Sequence, residues 1–175
     1  MFKSSIVALA AAFLTVSQAA SLEGALERAV SSTDIATILN AHNMLRLRHS
    51  SPPLSWNNTL ATFAEQWINK CQWAHSGGPY GENLALRTPG WNATVNAWYN
   101  EISLYNFSNP GFSSSTGHFT QVVWKATTQV GCAVRYCSNL SGNIYACEYT
   151  PRGNVLWGGT GDRNRFFREN VLPPK

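Results

Sequence analysis

Charge is scarce in this chain. Only 13% of its 175 residues are Asp, Glu, Lys or Arg, and no run gathers one sign. The basic side chains are scattered over Arg46, Arg48, Lys125, Arg135, Arg163, Arg165 and Arg168, which argues against the dense stripe of a nucleic-acid binder. Residues 163 to 168 read as a solvated tail, with at most transient contact to an anionic membrane surface. After Val16 no stretch is long and apolar enough to cross a bilayer, so an integral membrane protein is not expected. A Gly-x-Ser-x-Gly elbow, a catalytic-type cysteine and a His-Glu-x-x-His helix are all missing, which speaks against an enzyme. Internal repeats are missing too, and the length suits one domain.

What is present begins with Lys3, an apolar run from Ile6 to Val16, and Ser17-Gln18-Ala19. This is the pattern of a secretory signal over residues 1–19, with cleavage after Ala19 and Ala20 as the alternative. Residues 20–33 form a short leader. Removal of Lys3, one of 13 basic residues, leaves 12 against 9 acidic ones, a formal charge of +3. In an exported chain the cysteines Cys71, Cys132, Cys137 and Cys147 imply two disulfides, for which three connectivities exist. Cys132 and Cys137 lack the short paired spacing of a zinc knuckle. Four Asn-x-Ser/Thr sites, Asn57, Asn92, Asn106 and Asn139, are glycosylation acceptors in the same compartment.

Ile35, Ile38, Leu39, His42 and Leu45 recur at helical spacing behind a cap at Asp34 or Thr33, and Ser51-Pro52-Pro53 ends that helix. Asn57 or Asn58 caps a second helix with Leu60, Phe63, Ala64, Trp67 and Cys71 inward. Residues 74–90, with Gly77, Gly78, Gly81, Gly90, Pro79 and Pro89, read as an irregular loop. Asn92 caps a third helix carrying Val95, Trp98, Ile102 and Tyr105 on one side, with Glu101 sharing or bordering it. Gly117-His118-Phe119-Thr120-Gln121-Val122-Val123-Trp124 is rich in strand formers and predicts a strand. Two more strands follow, over residues 130–136 and 144–149. The sum is an α+β layered domain.

His118 has possible companions. His75 and Glu82 lie in the glycine loop, and Glu101 lies on the buried side of the third helix. Carboxylates on apolar elements require partners. Two imidazoles and two carboxylates suit either a hydrogen-bonded polar cluster or a divalent cation such as zinc or magnesium. A metal-dependent hydrolase or protease centred on His75 and His118 is a weaker alternative.

The motif from Gly117 to Trp124, together with Ile144-Tyr145-Ala146-Cys147-Glu148-Tyr149-Thr150-Pro151-Arg152-Gly153-Asn154, resembles the CAP superfamily (cysteine-rich secretory proteins, antigen 5 and pathogenesis-related 1 proteins). His75-Ser76-Gly77-Gly78, Gly81-Glu82-Asn83-Leu84 and Trp98-Tyr99-Asn100-Glu101 add to the likeness, which is greatest to the fungal branch with its secreted sterol-binding proteins. The resemblance implies a single α-β-α sandwich with a short, mainly antiparallel sheet over residues 34–157, followed by an extension over residues 158–175. It also implies the pairs Cys71 with Cys137 and Cys132 with Cys147, and a cavity tetrad of His75, Glu82, Glu101 and His118. Glu148 departs from the family's usual residue, which is read as local surface chemistry.

Residues 105–112 match the spacing of a caveolin-binding-type motif that the resemblance connects with sterol binding, through Tyr105, Phe107 and Phe112. The plainer alternative has Tyr105 and Phe107 packing the helix end, with Phe112 anchoring the loop. Fatty acids are a second cargo, between the helices of residues 34–47 and 92–104. Secreted, non-enzymatic binding of sterols, then fatty acids, is the leading expectation; an interaction protein directed at a host or cell wall is a further one.

Overall fold

The computed structural model describes residues 30–156 and 161–175. The expected signal and leader up to residue 29 lie outside the described residues. Helix α1 (Ser32–Arg48) starts earlier than the sequence suggested, because Ser31 is its cap. Ser31 Oγ accepts from the Asp34 N–H at 3.0 Å and donates to Asp34 Oδ2 at 2.9 Å. This reciprocal box explains why Ser32 and Thr33 are helical rather than part of a leader. Strand β1 (Ser55–Trp56) leads to helix α2 (Asn58–Ile68). Asn57, not Asn58, caps α2 through Oδ1, which accepts from Thr59 and Leu60 N–H groups.

The glycine segment holds a strand that the composition concealed, β2 (Gly81–Leu86). A Cβ on Gly81 would overlap the Gln121 side-chain amide, so this glycine serves close packing rather than a turn. Helix α3 (Trp91–Asn100) is capped at Gly90, whose φ of 134° suits glycine, and not at Asn92. It tightens into a 3-10 turn (Glu101–Leu104). Strands β3 (Gln129–Cys137) and β4 (Gly142–Thr150) extend the two expected ones, and a 3-10 turn (Ser138–Leu140) joins them.

The largest correction concerns the segment from Gly117. It forms helix α4 (Gly117–Val123), not a strand. Its β-rich composition is overridden from outside, because both helix ends find charged partners. Glu101 Oε2 accepts from the N–H groups of His118 and Phe119 at 2.9 and 3.1 Å. At the other end Arg46 Nη1 donates to the carbonyls of Val122 and Trp124 at 2.8 and 3.0 Å. A carboxylate at the N-terminus and a guanidinium at the C-terminus both match the helix dipole. Phe119 through Val123 are all buried, so no two-residue alternation survives.

The sheet order is β1-β3-β4-β2, with only β1–β3 parallel. Ile144, Ala146 and Leu84 face α2, whereas Val130, Tyr145 and Tyr149 face the layer of α1, α3 and α4. The result is the α-β-α sandwich. Cys71 pairs with Cys137 and Cys132 with Cys147, closing 66 and 15 residues, which contribute about 4 and about 3 kcal/mol in the chain-entropy treatment. The C-terminal residues are not a solvated tail. Helix α5 (Arg165–Asn170) buries Phe167 edge-on against Trp124, 5.0 Å between centroids, and His49 Nδ1 donates to the Leu172 carbonyl at 2.6 Å.

Candidate functional site

Strand β2 lies at the edge of the sheet, and its first residues turn side chains to both faces. Glu82 points to the α2 side, where the loop after α2 carries His75 over it. His75 Nδ1 meets Glu82 Oε1 at 2.5 Å, and Glu82 also accepts from the Ser76 N–H. Asn83 points to the opposite side and donates to the His118 carbonyl at 3.1 Å. His118 Nδ1 meets Glu101 Oε1 at 2.7 Å. The four expected residues therefore form two His–Glu pairs.

His75, Glu82 and His118 line a common cavity of about 310 Å³ with Gln121, Asn154 and Phe112. Glu101 holds His118 from behind the lining. Both Glu carboxylates are occupied by imidazole Nδ1 and backbone N–H groups, which leaves the two Nε2 atoms without hydrogen-bond partners among the described residues. Among those residues no group of three or more His, Cys, Asp or Glu side chains is spaced to share an ion.

The electrostatics follow from the pairing. The hydrogen bond to Glu82 raises His75 above its usual 6.5, against the effect of burial. Burial pushes the Glu82 carboxyl upward, yet hydrogen bonds from His75, Ser76 and Glu148 outweigh it and hold the acid below 4.5.

Glu148 is the residue that sequence reasoning misplaced. It is fully buried, not part of the surface. Its register partner across β4–β2 is Glu82. Burial, then the hydrogen bond to Glu82 and that carboxylate's charge, push its pKa up to about 9. Glu148 is thus a neutral acid at pH 7 beside Glu82, and neither of its oxygens has a hydrogen-bond partner of full geometry among the described residues. Alternation along β4 carried the signal, since Glu148 shares the face of Ile144 and Ala146.

Deeper in the core, His42 Nδ1 donates to the Ile38 carbonyl, so Nε2 accepts from the Tyr149 hydroxyl at 2.9 Å. Burial lowers His42 to about 4 and keeps it neutral. These contacts are structural.

The aromatic loop divides. Tyr105 is buried and Phe107 half-buried, 4.9 Å apart and edge-on, and both pack against Phe119. Both rings pack at the end of the third helix, and Tyr105 also reaches the groove lining. Burial pushes the Tyr105 phenol up to about 12. Phe112 is 53% exposed, and a second groove of about 240 Å³ runs past it between Leu104, Tyr105, Asn106 and Asn164. Leu104, 66% exposed, was not singled out from the sequence. Of the acceptor asparagines, Asn92, Asn106 and Asn139 are exposed, whereas Asn57 is half-buried at its cap.

The profile of the cysteine-rich secretory protein family (CAP) matches residues 39–149. "Repressed by EFG1 protein 1" of Candida albicans is 48% identical over 143 residues, 78% of this chain and 53% of that protein. "Protein PRY2" of Saccharomyces cerevisiae is 46% identical over 142 residues, 78% of this chain and 40% of that protein. The chain thus spans about half, or less, of these fungal relatives. The solved structure of Schistosoma mansoni venom allergen-like protein 4 superposes with a TM-score of 0.58 at 25% identity, covering 70% of this chain and 90% of that one. All four cysteines are disulfide-bonded, as an oxidising compartment requires, and the protein is secreted. By sequence profile, relatives and fold alike, the chain belongs to the cysteine-rich secretory protein family.

Proposed function

We propose that this protein is a secreted, non-enzymatic binder of small hydrophobic molecules, sterols before fatty acids. One observation carries the reading. Leu104 and Phe112, both large, apolar and exposed, line one groove over buried Tyr105. Two large apolar side chains exposed at one concave site, among the polar groups of Asn106, Asn109, Ser113 and Asn164, fit a ligand with an apolar body and a polar end. At the helices expected to flank a fatty acid, Ile38, Val95 and Trp98 are buried rather than offered to a ligand, and Arg48 lies over the Tyr99 ring at 5.4 Å. Sterols therefore come first. Competition between a fluorescent sterol and a fatty acid tests the order: sterol displaces the probe at lower concentration, and the reverse ranking contradicts it.

A divalent cation is a second reading, supported by the two Nε2 atoms beside one cavity. Each imidazole is oriented by a carboxylate on its other nitrogen, the arrangement that metal-binding histidines use. His75 and His118 would hold the ion, Glu82 and Glu101 would orient them, and imidazole donors favour zinc over magnesium. Calorimetry with zinc at neutral pH should give heat that vanishes on acidification and in the His75→Ala, His118→Ala variant. No heat above that control contradicts the reading.

A further inference from the structure

The four acceptor asparagines are not equivalent in the fold. Asn57 uses Nδ2 to donate to Gln129 Oε1 at 2.8 Å and Oδ1 to cap α2. Asn139 Nδ2 donates to the Cys71 carbonyl at 2.9 Å. Asn92 and Asn106 keep Nδ2 free of hydrogen bonds among the described residues. Asn92 Oδ1 only accepts from Asn96, and Asn106 Oδ1 accepts from the N–H groups of Ser108 and Asn109. Asn106 differs from Asn92 in place: it lines the groove beside Leu104, Tyr105 and Phe112.

We propose that Asn106 carries an N-linked glycan and that this glycan restricts access to the groove. The inference rests on the groove being the ligand site, as argued above. Asn106 is exposed, its Oδ1 accepts the turn contacts and its Nδ2 makes no hydrogen bond among the described residues, so the folded chain accommodates a sugar on Nδ2 without losing a contact. In the transfer, Nδ2 forms a bond to C1 of the first sugar of a lipid-linked oligosaccharide. The bond from C1 to the polyprenyl diphosphate oxygen breaks, and the amide gives up one proton. Nothing is oxidised or reduced. The bulky, hydrated product then stands on the rim of the groove, beside Leu104 and Phe112, and competes for space with any ligand that crosses it.

Production in a glycosylating eukaryotic host, followed by peptide mass spectrometry, reads occupancy directly. Asn106 should be occupied; an unmodified Asn106 overturns the inference without touching the groove reading. Binding of a fluorescent sterol should tighten severalfold in Asn106→Gln and equally in Ser108→Ala, which removes the acceptor sequence but keeps the backbone turn. Asn92→Gln, which removes a site away from the groove, should bind as the wild type does. Equal affinity across all four proteins overturns the gating role alone. No saturable binding by any of them, the glycan-free variants included, overturns the groove reading and the gating with it.

Discussion

Glu101 and Arg46 hold opposite ends of one seven-residue helix, α4, although they are far apart in the chain. Glu101 takes the free N–H groups of His118 and Phe119, and Arg46 takes the carbonyls of Val122 and Trp124. The same carboxylate orients the His118 ring toward the cavity wall. Fold and site therefore share one group. Glu101→Ala should destabilise the protein by about 2–3 kcal/mol, because partly buried N–H groups lose a charged acceptor. Glu101→Gln, which keeps one acceptor oxygen, should lose less. Urea unfolding separates the two, and equal stabilities for wild type and Glu101→Ala contradict the capping role.

Arg46 has no carboxylate partner among the described residues; its guanidinium is satisfied by four backbone carbonyls, those of Pro52, Val122, Trp124 and Thr127. Burial lowers its pKa to about 10, so it stays charged at neutral pH. Arg46→Lys should fail to rescue the fold, since an ammonium cannot reproduce the planar fork. A loss of about 3 kcal/mol or more is expected for Lys and Met alike. A lysine variant of wild-type stability contradicts this.

The buried acid Glu148 sets a pH dependence. Its pKa rises from 4.5 to about 9 on folding, so the native state binds the proton more tightly. Stability therefore falls as pH rises from about 4.5 toward about 9, wherever the folded form holds the extra proton. His75, raised above 6.5, acts in the same direction: its contribution is complete below 6.5 and fades as pH climbs through the folded value. Glu148→Gln should flatten the decline and leave the His75 part. Chemical unfolding at pH 5 through 9 checks it; superimposable profiles for variant and wild type contradict the buried acid.

Phe167→Ala tests the docked C-terminus. A buried ring lost from its contact with Trp124 should cost about 3–5 kcal/mol. A truly solvated tail would show no change in the unfolding midpoint.

The sequence showed much of this fold where local preference and tertiary need agree. Strands β3 and β4 and helices α1 to α3 follow their periodicities, and the cysteine pairs follow from the family likeness. Helix α4 could not be read locally, because Phe119, Thr120, Val122 and Val123 favour strands and the deciding partners are Glu101 and Arg46. Strand β2 was hidden among the glycines of residues 74–90, of which Gly81 serves close packing at Gln121, and α5 by a charged composition around one buried ring. The partnership of Glu101 with His118 was legible, since a carboxylate beside Trp98 needed a partner, whereas His75 and Glu82 were read only as members of one tetrad and form a pair of their own. Glu148 was misread, although alternation with Ile144 and Ala146 pointed inward. Leu104 was overlooked because one exposed leucine means nothing until Phe112 stands in the same groove.

Direct saturation binding of a sterol to the wild type and Phe112→Ala, both without glycan, tests the central claim. The wild type should saturate, and Phe112→Ala should bind markedly more weakly with an unchanged unfolding midpoint. Non-saturable uptake by the wild type, or equal affinity in the variant, contradicts a sterol carrier working through this groove.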